Sequence, residues 1–553
     1  MNTGQASNSP MSNTHEGVLA PRGGLVNALK VTGLLALPLI LGSLFVDWDS
    51  LVGLNTTLND QVGYVSVARN WADSGTLNSN LIYPSVLTQC VTRNSLYMPG
   101  HYWVLGATYK LIGYSVAHSL LPSLFALVLS TVMMFVIGSQ LYTPAVAYLG
   151  CALFLFFPLN LIYAFTAMAE MTAVAAGLVA FAVFLRVPPR WKPLVGPLLL
   201  VLPMAFRETG AAIAVVMAPM IFQQSRQRWR PVALFGALTL VVVGLVVASP
   251  LSTGRPSLLQ ANVFGGSDAV YSDAFALATF HPHLGDWGRA IGTKVLGNLH
   301  TLLLPRSWIR PEHWLEYGSM LFLLTGIPVG LGWWPRHRRP DRLFLGVAGM
   351  VLVVVLFILS LYTVWKFRGV RVLLVAQPFV ALLYAVRLNE LPKHLPAARH
   401  ISEFAVVGAA VIGLSAAYNV FQGEQRINQQ SARDTAFLES LGLDDRGLLV
   451  SPYWLSLDYV HKHHPVRWAF PPTNRATLRL LNERYPIGAV ILPVAESMTD
   501  YTQQAVRPSD VAQIGLRDEG RISYRGFTFA VFKRAGAQPA TVSDTASAWH
   551  RRR

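Results

Sequence analysis

Charge is what this chain most lacks: 13% of its 553 residues are Asp, Glu, Lys or Arg against 53% hydrophobic, and the mean hydropathy is +0.41. A soluble chain of that length needs far more charge to cover the surfaces of several domains, so lipid is the solvent the composition points to. Cysteine is nearly absent too. Cys151 falls in an apolar run and Cys90 in a polar loop, which argues against a disulfide between them. No glycine-rich phosphate loop occurs, so a nucleotide-binding fold has no support. The polar stretch before Pro21 lacks the basic region and cleavage site of a signal peptide. It reads as a disordered tail, and the first apolar helix is expected to stay as an anchor.

Acidic residues are scarcer than basic ones, 28 against 44, for a formal net charge of +16. That excess could suggest nucleic acid, but the basic residues collect in short blocks between apolar runs, which is the positive-inside signature of a membrane protein. Apolar runs at 31–46, 120–139, 145–163, 172–184, 194–206, 211–222, 232–248, 320–334, 343–362, 372–386 and 401–418 predict about eleven transmembrane helices. Several fall short of the ~20 residues a crossing needs and require tilt, burial or extension. With the N-terminus in the cytoplasm, the inner connections hold Arg186, Arg190 and Lys192; Arg226, Arg228 and Arg230; Arg336, Arg338, Arg339 and Arg342; and Arg387, Lys393 and Arg399.

The resulting organisation is a disordered cytoplasmic tail over 1–30, a polytopic α-helical membrane domain over 31–418 with outer loops at 47–119 and 250–318, and a polar domain over 419–553. In the last, 447–451, 466–470 and 489–493 read as strands and 453–463 and 474–485 as helices. Alternation of Ile522, Tyr524, Phe527, Phe529 and Val531, with one slip at Gly526, adds a terminal hairpin. This is a small α/β domain, and an odd helix count places it outside the cytoplasm.

Four stretches could carry chemistry. In LNDQVGYVSVARNWADSG, Asn59 is a fair cap that places Asp60 in the first turn of a helix, where unpaired N–H groups favour a carboxylate. Asp60 therefore reads either as part of the cap or as a base for a hydroxyl proton. Tyr64, Val67, Ala68 and Trp71 follow at helical spacing. In RNSLYMPGHY, Arg93 and His101 offer themselves to an anion beside Tyr97 and Tyr102, or belong to a plain surface loop. Glu170 and Arg207 are isolated charges among apolar neighbours at the same predicted depth, a setting that makes function the default hypothesis. Last, His281 and His283 with Asp286 are weak metal candidates in a loop that reads mainly as polar.

The order of these features resembles the GT-C superfamily of integral-membrane glycosyltransferases, especially the bacterial branch similar to aminoarabinose transferases and protein mannosyltransferases. In that family the first outer loop opens with an acidic pair, then a tyrosine and small residues; here Asp60 and Gln61 take the pair, with Tyr64 and Ala68 behind. Glu170 matches a second acidic residue heading a later helix, Arg207 a basic residue between short helices, and Arg368 or Arg371 with Pro378 a basic residue before a late helix. Gln61 departs from the acidic pair, and the lysine expected before the proline pair is missing, leaving Arg93 or His101 in its stead.

What the resemblance implies is an inverting transferase in the bacterial inner membrane, its active site facing the periplasm or exterior. It would move a sugar from a polyprenyl-phosphate carrier to a lipid, glycan or protein acceptor. Asp60 and Glu170 would be the catalytic carboxylates. Arg93, Arg207 and Arg371 would hold the donor phosphate, and Tyr64, His101 and Tyr102 would contact substrate. No cofactor is demanded, and a divalent metal stays open. A transporter or flippase of lipid-linked glycans is the alternative, since it too wants buried charge beside a cavity.

Overall fold

The protein was analysed as a computed structural model that describes residues 33, 36, 60–82, 98–225, 228–248, 283–303, 321–322, 325, 346–353, 370–394, 400–443, 447–451, 467–469, 475–494, 506–524 and 526–534. The first outer segment gives helix α1 (Asp60–Ser74), a two-residue strand β1 (Leu81–Ile82) and helix α2 (Pro99–Ile112). Proline at the first helical position of α2 fits there, because that N–H has no intrahelical partner to lose. The bundle follows as α3 (Val116–Leu141), α4 (Pro144–Leu155), α5 (Pro158–Ala164), α6 (Ala169–Arg186), α7 (Lys192–Leu199), α8 (Val201–Phe206), α9 (Ile213–Gln224), α10 (Trp229–Ala248), α11 (Leu284–Leu303), α12 (Gln377–His394) and α13 (Ile401–Ser440).

Among the described residues four helices are long and apolar enough to cross a membrane, or five if the bent pair α4 and α5 forms one span. This is fewer than the eleven expected. The predicted run at 31–46 and most of those at 320–334 and 343–362 fall outside the described residues. Elsewhere the sequence breaks the runs. The run at 145–163 bends by 65° between α4 and α5, ahead of Pro158. The run at 194–206 divides into α7 and α8, and α9 is only 12 residues long, about 18 Å at an α-helical rise.

Burial ranks the long helices. Of the apolar window of α6, 78% is buried, against 11% for those of α10 and α13. Helix α6 is therefore the centre of the bundle, while α10 and α13 present side chains such as Leu240 and Phe404 outward, as lipid-facing helices do. The two ends of α6 differ in charge, with Glu170 in its first turn and Arg186 in its last.

The bundle continues without a break into the C-terminal domain. Helix α13 has 40 residues, about 60 Å, twice the ~30 Å of a hydrocarbon core. Its last turns pack on a six-stranded sheet of order β1-β3-β2-β4-β6-β5, with β2 (Leu448–Val450), β3 (Trp468–Ala469), β4 (Ile487–Pro493), β5 (Leu516–Tyr524) and β6 (Phe527–Arg534). Phe437 stacks on Tyr524 at 4.1 Å, and the Tyr524 hydroxyl donates to Asp434 Oδ1 at 2.6 Å. Helices α14 (Arg475–Arg484) and α15 (Pro508–Ala512) belong to this domain, and Leu478, Leu481 and Val511 pack in its second core with Val490 and Phe532.

Strand β1 comes from the first outer segment, yet it pairs in parallel with β3, Leu81 opposite Trp468. Trp468 N–H donates to the Asn80 carbonyl at 2.9 Å, and Asn80 N–H donates to Ser66 Oγ on α1 at 2.8 Å. The α/β domain is thus tied to the bundle twice, through α13 and through α1, and α1 also reaches the Glu170 end of α6 through Gln61.

Candidate active site

Three charged side chains meet inside the bundle. Glu170 stands in the first turn of α6, where the helix dipole favours an anion. Arg207 occupies an extended residue between α8 and a 3-10 turn at Glu208–Ala212, and Arg371 lies on a second 3-10 turn, Val370–Val375, just before α12. Arg207 Nη2 donates to Glu170 Oε1, and Arg371 Nε lies 3.4 Å from the same oxygen. The side chains are 2% exposed for Glu170, 10% for Arg207 and 7% for Arg371. One carboxylate therefore serves two guanidinium groups, and these three side chains sum to one formal positive charge.

The local sequence makes this arrangement possible. Two glycines let backbones close in around Arg207. A Cβ on Gly210 would sit 2.6 Å from the Pro203 Cβ, and one on Gly100 would sit 2.7 Å from the Ala205 carbonyl oxygen. The chain can thus fold back directly after Arg207, and α2 can lie against α8. Glu170, Arg207 and Arg371 line a small cleft with Ala173, Thr209, Leu374 and Val375. Glu170 Oε2 is buried and makes no hydrogen bond among the described residues.

Other candidate residues surround the link before α6. Helix α1 opens at Asp60, and the next residue, Gln61, accepts the Ala167 N–H on Oε1 at 3.0 Å. His101 has no exposed surface; its Nε2 lies 3.1 Å from the Ala167 carbonyl oxygen and its Nδ1 3.1 Å from Thr172 Oγ1. Burial, reinforced by the nearby Arg207 charge and opposed by the bond to Ala167, pushes the His101 pKa down to about 3. The ring is therefore neutral, with the proton on Nε2 for the carbonyl and Nδ1 sharing the Thr172 hydroxyl with the Ala169 carbonyl. Tyr64 packs against the His101 ring edge-to-face at 5.0 Å and against Tyr102 at 5.3 Å. Tyr64, His101 and Tyr102 are each at most 1% exposed. Direct substrate contact was expected of them; in this structure the three rings are buried and packed on one another.

Arg93 and His281 lie outside the described residues, and His283 is exposed, its N–H donating to Asp286 Oδ2. Among the described residues no group of three or more His, Cys, Asp or Glu could hold a metal ion. Glu170 does not fit one either, since two guanidinium groups beside it repel a further cation.

Sequence reasoning missed Gln61 as a structural ligand and a second polar contact. Asn160 Nδ2 donates to Gln377 Oε1 at 2.9 Å and to the Phe154 carbonyl at 2.6 Å, capping the break between α4 and α5. Both amides are fully buried. Their signal was present: each is a lone amide in an apolar run, costly unless it has a partner.

No protein-family signature matches the chain, and no curated protein is detectably similar in sequence. Solved structures do match. The Archaeoglobus fulgidus oligosaccharyltransferase in complex with Zn and sulfate is 13% identical with a TM-score of 0.50, over 90% of this chain and 73% of that one. ArnT from Cupriavidus metallidurans bound to undecaprenyl phosphate is 14% identical with a TM-score of 0.42, over 94% of this chain and all of that one. At such identity the oligosaccharyltransferase speaks for the fold alone: a polytopic helical membrane protein with a C-terminal α/β extension.

Proposed function

We propose that this protein is an inverting glycosyltransferase of the bacterial inner membrane that moves a sugar from a polyprenyl-phosphate carrier to an extracytoplasmic lipid, glycan or protein acceptor. The observation that carries the proposal is the Arg207–Glu170–Arg371 cluster, two buried guanidinium groups around one carboxylate beside a cleft. Its single formal positive charge matches a phosphodiester, which bears one negative charge. Arginine suits this task because its planar fork meets phosphate oxygens two at a time.

In the reaction the acceptor oxygen forms a bond to the anomeric carbon while its proton passes to Asp60. The bond from that carbon to the phosphate oxygen breaks, and its electron pair leaves with the polyprenyl phosphate. The departing group gains a negative charge, which Arg207 and Arg371 stabilise from fixed positions, with Arg93 as a further phosphate ligand. Glu170 aims both arginines. No step is routed through a metal.

Two observations support an outward-facing site. The Arg186 end of α6 leads into the basic stretch with Arg190 and Lys192, the cytoplasmic sign under the positive-inside rule, and Glu170 is at the opposite end. The α/β domain is tied through α1 to that same end, where it can cover the acceptor. The 65° break between α4 and α5 favours a second reading, a flippase, since transporters bind at discontinuous helices.

Mass spectrometry of lipid extracted from the purified protein tests the donor class. Polyprenyl phosphate in wild type, lost in R207A and R371A, is the expected result; ordinary phospholipids alone would remove the phosphate reading. Proteoliposomes then separate the two activities. A transferase consumes a polyprenyl-phosphate-linked sugar only when acceptor is present, whereas a flippase moves it between leaflets unchanged.

A further inference from the structure

The non-helical link between α5 and α6 is buried inside the protein, where free backbone groups find no water. Side chains from other elements engage two of its carbonyls and one N–H. Ser123 Oγ donates to the Met168 carbonyl at 3.2 Å. Ala167 is gripped at both ends of its residue, by Gln61 from α1 at its N–H and by His101 from α2 at its carbonyl. Ala167 precedes Glu170 by three residues, and Gln61 directly follows Asp60. These two side chains therefore join the helix that opens at the proposed base to the turn that presents the carboxylate aiming both arginines.

We propose that Gln61 and His101 are positioning residues that fix Glu170, and through it Arg207 and Arg371, relative to the start of α1. The proposal rests on the reading of the cluster as a phosphate site. Gln61 acts as an acceptor and His101 as a donor, so the two roles cannot be exchanged. A leucine at 61 keeps the bulk but has no acceptor. A glutamate keeps the acceptor. At 101, glutamine keeps an N–H near the position of Nε2, and leucine does not.

Hydrogen exchange of the full-length protein in detergent tests the clamp without any ligand. The Ala167 N–H lies outside the helical ladders, so its protection depends on Gln61. In Q61L the segment 165–170 should exchange about tenfold faster while the body of α6 is unchanged, and Q61E should restore protection. Unchanged exchange in Q61L would overturn the clamp.

Undecaprenyl phosphate then serves as the probe for positioning. Q61L and H101L should weaken its stabilisation of the protein about tenfold in half-saturating concentration, H101Q should recover it, and Q61L should add nothing in an E170Q background. An equal loss in that background means the residues do not act through Glu170 and overturns the proposal. A wild type that undecaprenyl phosphate does not stabilise refutes the phosphate reading instead, and the exchange result alone then decides the clamp.

Discussion

Replacing Glu170 with glutamine keeps the side chain's shape and removes its charge, which makes it the sharpest probe of the cluster. In the wild type one buried oxygen receives Arg207 Nη2 and holds Arg371 Nε at 3.4 Å. Removing one partner of a buried ion pair costs about 3–5 kcal/mol, because a charge is left uncompensated. Here a single substitution removes the carboxylate from beside two guanidinium groups, so a cost within that range applies. E170Q in detergent should therefore melt well below wild type. A bound phosphate group would return negative charge to the site, so undecaprenyl phosphate, a phosphomonoester, should raise the melting temperature of E170Q more than that of wild type. Transfer should fall about 10²- to 10⁴-fold, since two charge-assisted contacts worth about 1.5–3 kcal/mol each lose their aim. An E170Q protein that melts with wild type would show that Glu170 does not hold the arginines. One that melts low and is not rescued by undecaprenyl phosphate would show that the arginines do not hold phosphate.

Four further outcomes are expected. D60N should abolish sugar transfer in proteoliposomes while the purified protein still retains polyprenyl phosphate; near-normal turnover would remove Asp60 as base. The His101 pKa is about 3 when folded and 6.5 when free, so its contribution to stability is complete above pH 6.5 and declines as pH falls toward 3, by about 1.4 kcal/mol per unit. Melting curves from pH 7.5 to about pH 4.5 should thus fall more steeply for wild type than for H101Q, and parallel curves would refute that assignment. Q377L should cost about 1–3 kcal/mol by leaving the Asn160 amide short of a partner, and N160L/Q377L should cost less than the two single changes together; strict additivity would show that the amides are not coupled. Reporters fused after residue 534 and inserted in the turn at 187–191 should read opposite sides of the membrane; the same side would overturn the topology.

The parts of this protein legible in sequence are those that depend on local pattern. The long apolar runs became α3, α6, α10 and α13, and the alternation around Gly526 became the β5–β6 hairpin. Glu170 and Arg207 stood out because isolated charges in lipid are costly, and the structure pairs them. What was not legible depends on the third dimension. The break at Phe156 needed the Asn160 cap and the close packing of Gly413, whose Cβ would sit 1.9 Å from the Phe156 carbonyl oxygen. Strand β1 is two residues long, and its partner β3 lies several hundred residues away, so no periodicity could announce it. The domain boundary expected after residue 418 falls inside α13, because the helix continues as its exposed side changes from lipid to sheet.

Gln61 is the residue whose meaning changes most. Against the family pattern it looks like a loss, an amide where a second carboxylate is expected. In the structure it is 5% exposed and accepts a backbone N–H that lies off any helical ladder. A carboxylate could make the same bond, but it would bring an ionised group into a buried place at considerable desolvation cost. It would also add negative charge close to Glu170, and so weaken the positive cluster that the proposed phosphate requires. The amide supplies the acceptor and leaves the charge balance as it is. Q61E should therefore keep the Ala167 N–H protected yet bind undecaprenyl phosphate more weakly than wild type. Equal binding by Q61E and wild type would mean that the charge at position 61 does not reach the arginines, and that the amide is there for reasons of packing alone.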